Sequence, residues 1–139
     1  HNGLKISTTS ANLNGIGHMI IEKNQYEKAF VASRTEGFEE YSTIVEGYTA
    51  ETVEEITSVR AQEIRQAARM YVSAKSAAIL WGMGVTQFYQ GVETVRSLTS
   101  LAMRIGNLGK PSAGGTPVPG QTNLQCAFDI VALAGTSPW

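Results

Sequence analysis

The chain has 139 residues, of which 42% are hydrophobic and 17% are charged, and its formal net charge is −1. This length suits one domain with a buried core, and the near-neutral charge gives no electrostatic basis for binding nucleic acid or an anionic membrane. The single cysteine, Cys126, excludes an intramolecular disulfide and a four-cysteine metal site within this chain. No apolar run reaches the roughly 20 residues of a membrane span, and the start carries no signal-peptide pattern, so we expect a cytoplasmic protein.

Apolar residues at helical spacing predict five helices in the first half of the chain. Their predicted ranges are 11–23, 26–33, 36–46, 49–56 and 60–73. Ser10 or Asn12 is predicted to cap the first helix, and Thr49 the fourth. One face of the third helix is predicted to be apolar, and it holds Phe38, Tyr41, Ile44 and Val45. The fifth is the clearest, because Ala61, Ile64, Ala67, Ala68 and Tyr71 share one side and charged residues share the other.

A short apolar stretch, 77–81, comes next and lacks polar alternation. This pattern predicts a strand buried on both faces, as in a parallel sheet. It ends at Gly82-Met83-Gly84, and a helix follows whose apolar face carries Val95, Leu98, Ala102 and Ile105. In α/β proteins this order places a ligand at the carboxyl end of the strand. The alternative is a tight turn without a ligand, because the glycines match neither a dinucleotide fingerprint nor a P-loop.

The stretch 106–121 is rich in glycine and proline and is predicted to be a loop. Its only charged residue is Lys110, which favours an ordered loop around a ligand over a disordered one. Several carboxamides in and near the two Gly-rich regions suit a ligand with alternating donors and acceptors, such as a pterin or purine edge: Gln87, Gln90, Gln121, Asn123 and Gln125. For most of them the alternative is ordinary surface polarity. No complete catalytic set is visible, so the residues alone indicate a ligand-binding α/β domain.

Three stretches carry a resemblance to a known family: 30–41, 63–68 and, above all, 78–103 with Trp-Gly-Met-Gly-Val-Thr-Gln. They resemble the large subunit of molybdopterin-dependent formate dehydrogenases, most closely the selenocysteine type of formate–hydrogen lyase systems. The resemblance covers about 13–129, which corresponds to a middle portion of the family's much longer subunit. The chain is therefore expected to be an internal fragment.

The resemblance implies an α/β fold: a partial three-layer sheet flanked by helices, from the pterin-binding domain of the molybdopterin oxidoreductase fold. Residues 1–12 match poorly and form a separate N-terminal segment. Residues 13–118 are expected to form part of the pterin-binding domain. Residues 119–139 are expected to be a truncated loop leading towards the next domain.

The resemblance also implies a cofactor. The family oxidises formate to carbon dioxide with molybdenum (or tungsten) held by two molybdopterin guanine dinucleotides, plus a four-iron cluster. Its cofactor-binding motif carries over to Gly82, Met83, Gly84 and Gln87. A family loop that approaches the metal, Arg-Gly-Gln-Asn-Asn, places its glutamine at Gln121. Electron-transfer or hydrogenase subunits are the implied partners.

The chain departs from the family at the residue that matters most for formate. The family's active-site arginine falls at Pro119, and proline has neither charge nor N–H. The selenocysteine or cysteine metal ligand and the iron–sulfur cysteines lie upstream of His1 in the family. We therefore expect one wall of a cofactor site, no metal ligand, and no activity from this chain alone. The alternatives are a relative acting on another oxyanion such as nitrate, and a degenerate remnant that binds pterin or a partner subunit.

Overall fold

A computed structural model of the chain describes residues 8–118. In chain order these residues form α1 (Thr8–Glu22), α2 (Lys28–Arg34), α3 (Phe38–Glu46), α4 (Ala50–Thr57), α5 (Ala61–Ser73), β1 (Ala78–Trp81), α6 (Met83–Thr86), α7 (Gly91–Arg104) and β2 (Gly114–Pro117). None of these helices is long and apolar enough to cross a membrane.

Helix α1 is the centre of the helical part and packs against α3, α4, α5 and α7. Small residues make the close packing possible: an added Cβ on Gly15 would lie 2.9 Å from Val53 Cγ2. Ile20 of α1, Val45 of α3 and Val53 of α4 are the largest fully buried side chains in the described part. Burial of this apolar surface is the main stabilising contribution to the helical layer.

The start of α1 differs from the prediction. The helix begins at Thr8, so Ser10 lies inside it and is not an N-cap. The Ser10 hydroxyl is buried and lies 2.9 Å from Thr94 Oγ1 on α7. Asn12 is also inside the helix, and its Oδ1 accepts a hydrogen bond from Thr57 Oγ1 at 3.3 Å. Partners distant in sequence therefore satisfy two side chains whose local pattern suggested caps.

The next four helices lie within about two residues of their predicted ranges. The predicted cap at Thr49 is confirmed: its side chain accepts a hydrogen bond from the Thr52 backbone N–H at 3.2 Å. Not every residue of the predicted apolar faces is buried: Ile44 is 62% exposed, and Ala67 is also exposed. Both lie at the margin of an apolar face whose centre alone packs against the other described helices.

Strands β1 and β2 pair in parallel, with Ala78 opposite Gly114 and Trp81 opposite Pro117. The predicted parallel sheet and α/β class are therefore confirmed, although the described part contains two strands of it. The prediction that β1 is buried on both faces is wrong for these residues, because Ala78 and Leu80 are exposed. Helix α7 packs on both strands and is the helix that covers this small sheet most closely.

The prediction that the stretch 106–121 is a loop is wrong for part of it. Residues 114–117 form β2, whose place is set by its neighbour: Gly114 N–H donates to Ala77 O at 3.1 Å, and Val118 N–H donates to Trp81 O at 2.7 Å. Glycine and proline disfavour strands locally, so only pairing with β1 accounts for this element.

Candidate cofactor-binding site

Residues 82–90 connect the carboxyl end of β1 to the start of α7, and we call them the β1–α7 turn. The predicted order of strand, Gly-rich turn and helix is confirmed. Gly82 has an extended backbone (φ −128°, ψ −157°) and directs the chain into α6, a single helical turn. That turn closes where the Gln87 N–H donates to Met83 O at 2.9 Å.

The side chains of Met83 and Gln87 come together on the outside of this turn. Both residues are exposed, and Gln87 Nε2 donates to Met83 Sδ at 3.3 Å. A thioether sulfur is a weak acceptor, so the carboxamide can exchange it for a better acceptor on a ligand at small cost. Two of the predicted site residues therefore lie side by side on the surface of the turn.

Gly84 lies in the turn with open space beside it. An added Cβ would meet no heavy atom within 4 Å, and its backbone is not in the left-handed region. At Gly82 the added atom would make an ordinary contact, 3.4 Å from the Val118 carbonyl oxygen. Within residues 8–118 neither packing nor backbone conformation requires glycine at 84, and the glycine leaves the backbone accessible from this side.

Large apolar side chains surround the turn and face outward. Tyr89 is 93% exposed, and the others of this set, which we call the turn surface, are Leu80, Phe88, Val92 and Val118. Apolar side chains grouped at one end of a molecule mark a surface that contacts a ligand or another part of a protein. Composition alone did not predict their exposure, because Phe88 and Tyr89 are equally compatible with a core.

The turn carries no ionisable group suited to proton transfer at neutral pH, since residues 82–90 include no carboxylate, amine, imidazole or thiol. No group of three or more His, Cys, Asp or Glu side chains in residues 8–118 could hold a metal ion. What the turn offers is backbone access, two carboxamides (Gln87 and Gln90) and apolar contact. These features suit binding of a heterocyclic ligand and not its chemical conversion.

Several predicted site residues lie outside the described residues. They are Pro119, Gln121, Asn123, Gln125 and Cys126. Two glycines that sequence reasoning missed pack closely in or beside the turn. Gly91 is buried against the Thr86 backbone of the turn, and Gly115 on β2 lies against Trp81 at the end of β1, where an added Cβ would be 3.0 Å from Cζ3. Their role depends on contacts across the fold, so spacing in the sequence could not reveal it.

A second concavity lies away from the turn, between α2 and α3. It has a volume of about 560 Å³ and contains Tyr26 and Phe38, whose ring centroids are 4.9 Å apart. Glu39 and Glu40 at its edge place negative charge beside the start of α3. It is wide open, and no unpartnered buried polar atom found in the described part belongs to its lining residues. The β1–α7 turn therefore remains the better candidate.

The family to which this fold and turn belong is defined by comparison with known proteins. The model of the molybdopterin oxidoreductase family matches residues 1–133. The chain belongs to the molybdopterin oxidoreductase family.

Two of the relatives in this family that are similar to the chain are formate dehydrogenases. The chain is 72% identical to formate dehydrogenase H of Escherichia coli (strain K12) over 138 residues, which are 99% of this chain and 19% of that protein. It is 44% identical to the F420-dependent formate dehydrogenase 1 subunit alpha of Methanococcus maripaludis, over 94% of this chain and 19% of that protein. The chain thus spans about a fifth of the length of the curated relatives it matches.

A solved structure supports the fold. Acetylene hydratase from Pelobacter acetylenicus is similar with a TM-score of 0.72 and 30% identity, over 76% of this chain and 14% of that protein. The predicted fold is therefore confirmed: a helical structure with a small parallel sheet, as found in molybdopterin oxidoreductases.

Proposed function

We propose that this chain is part of a formate dehydrogenase large subunit and forms one wall of its molybdopterin guanine dinucleotide site. The observation that carries the proposal is the β1–α7 turn at the carboxyl end of a parallel strand, where the exposed Met83 and Gln87 side chains lie next to each other. Similarity to two formate dehydrogenases supports the choice of formate as the substrate of the whole subunit.

Each predicted site residue has a separate role in this proposal. Gly82 and Gly84 let the planar cofactor approach the backbone. Gln87 offers a donor and an acceptor to a pterin or guanine edge, and Met83 contributes a polarisable contact beside it. Gln121 would approach the metal from the following loop. When bound, the molybdenum or tungsten cofactor would supply the two-electron redox chemistry for oxidation of formate to carbon dioxide and a proton.

The remaining parts of the machinery would lie elsewhere in the subunit. The proposal places a metal-ligating selenocysteine or cysteine and an iron–sulfur cluster outside this chain. It also includes electron-transfer or hydrogenase partner subunits and a cytoplasmic location. In this proposal residues 13–118 form part of the pterin-binding domain, and they lie in the sequence between the segments 1–12 and 119–139. Pro119 cannot supply the guanidinium that would orient formate, so the chain alone should not oxidise it.

The activity part of the proposal has a direct test. The purified chain is supplied with molybdenum cofactor, and formate-dependent dye reduction is measured against a sample without protein. We expect no turnover above background. Turnover would mean that this chain contains a complete catalytic centre, and the proposal would be wrong.

The binding part is tested with the air-oxidised, fluorescent form of molybdopterin guanine dinucleotide, titrated into the chain. Gly84→Ala should weaken binding by about tenfold, comparable with loss of one well-made contact, and leave the melting temperature unchanged. Gly47→Ala is the matched control, because an added Cβ there also meets nothing within 4 Å and the residue lies outside the turn. Equal affinities for the wild-type chain and Gly84→Ala would contradict the role of the turn.

Pro119 favours one second candidate, a family member that acts on a different oxyanion such as nitrate. Such a substrate would be oriented without a guanidinium at this position. Sequencing the reading frame on both sides of the segment distinguishes the two, since the metal ligand and any substituting cation would be read directly.

A further inference from the structure

Gly91 is buried at the first residue of α7, against the backbone of the β1–α7 turn. An added Cβ would overlap the Thr86 carbonyl oxygen and would lie 2.9 Å from the Thr86 carbonyl carbon. Real Cβ atoms do not approach backbone atoms so closely. Unlike the end of a flexible side chain, a peptide group cannot rotate aside. Any residue larger than glycine must therefore move either Thr86 or the start of α7.

The start of α7 is the better anchored of the two. Gly91 N–H donates to Phe88 O at 2.9 Å, and Thr94 N–H donates to Gln90 O at 3.0 Å. The buried Thr94 hydroxyl also joins α7 to α1 through Ser10, at 2.9 Å. Further along α7, Leu98 and Ala102 are buried in the helical layer. Displacement would therefore fall on the exposed side, at Thr86.

Thr86 is bonded directly to Gln87, whose exposed carboxamide can both donate and accept hydrogen bonds. The Gln87 N–H closes α6 on Met83 O, and its Nε2 reaches Met83 Sδ. A shift of Thr86 changes both. We propose that Gly91 is a positioning residue for the cofactor site: through the Thr86 backbone it holds the Gln87 carboxamide where the cofactor edge arrives. This inference rests on the proposed function in so far as Gln87 contacts the cofactor.

The lack of a side chain thus has opposite consequences at Gly91 and at Gly84. At Gly84 the missing side chain leaves space that no atom of residues 8–118 occupies, whereas at Gly91 the protein backbone fills it. A substitution at 84 should block a ligand without disturbing the turn. A substitution at 91 should disturb the turn without reaching the ligand.

A double-mutant cycle tests the inference with the fluorescent, air-oxidised cofactor. Affinity is measured for the wild-type chain, Gly91→Ala, Gln87→Ala and the double variant. Each single change should weaken binding by about tenfold, and the double variant should bind like Gln87→Ala alone, because Gly91 acts through Gln87. Additive losses would overturn the proposal, since a purely structural role for Gly91 would not depend on the side chain at 87.

Amide chemical shifts test the positioning without any ligand. In Gly91→Ala the amide chemical shifts of Thr86 and Gln87 should change, while those of Ser10 and Thr94 should stay the same. The reverse pattern would overturn the inference. If the wild-type chain does not bind the fluorescent cofactor, the proposed function fails, and these shifts still decide whether Gly91 positions the turn.

A second variant keeps the inference falsifiable if Gly91→Ala does not fold. One glycine inserted between Tyr89 and Gln90 frees Thr86 from α7 without adding a Cβ. We expect the fold to be retained and the affinity to fall as far as in Gln87→Ala. Unchanged affinity would show that the contact between Gly91 and Thr86 does not position the site.

Discussion

The guanidinium carbon of Arg104 lies 3.2 Å from the centroid of the Tyr41 ring. Arg104 is only 5% exposed, and its Nε and Nη1 atoms have no hydrogen-bond partner within residues 8–118. The aromatic face is therefore the main compensation for this buried charge. Burial lowers the pKa of Arg104 and raises the pKa of Tyr41, and in each case the other residue partly offsets the shift.

Replacement of the Tyr41 ring should show how much the ring stabilises the buried Arg104 guanidinium. Tyr41→Leu leaves the guanidinium without its aromatic face and should lower the free energy of unfolding by about 2 kcal/mol or more. Tyr41→Phe keeps the ring and removes a buried hydroxyl without a hydrogen-bond partner, so it should change stability by less than about 1 kcal/mol. Urea unfolding of both variants measures the difference. Equal losses would mean that the ring face does not stabilise Arg104.

Stability should fall in alkaline solution because of buried tyrosines. Burial raises the pKa of both Tyr41 and Tyr71 above the ordinary value of 10.0. Above that pH the unfolded chain loses phenolic protons that the folded chain keeps, so it binds fewer protons and the free energy of unfolding decreases as the pH rises. Below pH 10 this contribution is fully retained.

Unfolding midpoints between pH 8 and about pH 11 measure this decline. Tyr41→Phe should make it shallower, whereas Tyr89→Phe, at a residue that is 93% exposed, should leave it unchanged. A decline that is equally steep in Tyr41→Phe and the wild-type chain would exclude Tyr41 as a source.

Gly17→Ala should destabilise the packing of α1 on α3. The added Cβ would lie 2.5 Å from the Tyr41 hydroxyl oxygen, and we expect a loss of about 1–3 kcal/mol in spite of the better helix propensity of alanine. Tyr41→Phe removes the obstructing oxygen and should recover part of the loss. Thermal unfolding of the single and double variants tests this, and a loss unaffected by Tyr41→Phe would assign it to another contact.

Thr49→Ala should cost about 1 kcal/mol, because the Thr52 N–H loses its acceptor at the start of α4. Thr49→Ser retains the oxygen and should remain close to the wild-type chain. Chemical denaturation compares the two variants. A serine variant as unstable as the alanine variant would point to the lost methyl group instead of the cap.

The accuracy of the sequence-based predictions depended on how local the cause of each feature was. Periodic apolar residues predicted α5 and α7 well, and Thr49 was identified because a cap depends on residues three positions apart. Strand β2 was missed because its two glycines and its proline become a strand only beside β1. Ser10 was misassigned since its partner, Thr94, lies on a distant helix.

The same distinction between local and long-range causes applies to the candidate site. The order of strand, glycine turn and helix was predicted correctly, because that order is local. The contact between Gly91 and Thr86 needed the three-dimensional arrangement of α6 and α7. The exposure of Leu80 was also unforeseeable, since an unbroken apolar strand is compatible with cover on both faces.

The pairing of β1 with β2 has a consequence for the order of events during folding. The two strands lie on either side of α6 and α7 in the sequence, so the chain must close a long loop before Val118 can bond to Trp81. Contacts of this kind form slowly compared with helices. The helices around α1 can assemble first, and the β1–α7 turn acquires its final shape only when the second strand arrives. Hydrogen exchange during refolding should therefore protect the amides of α1 and α5 before that of Val118.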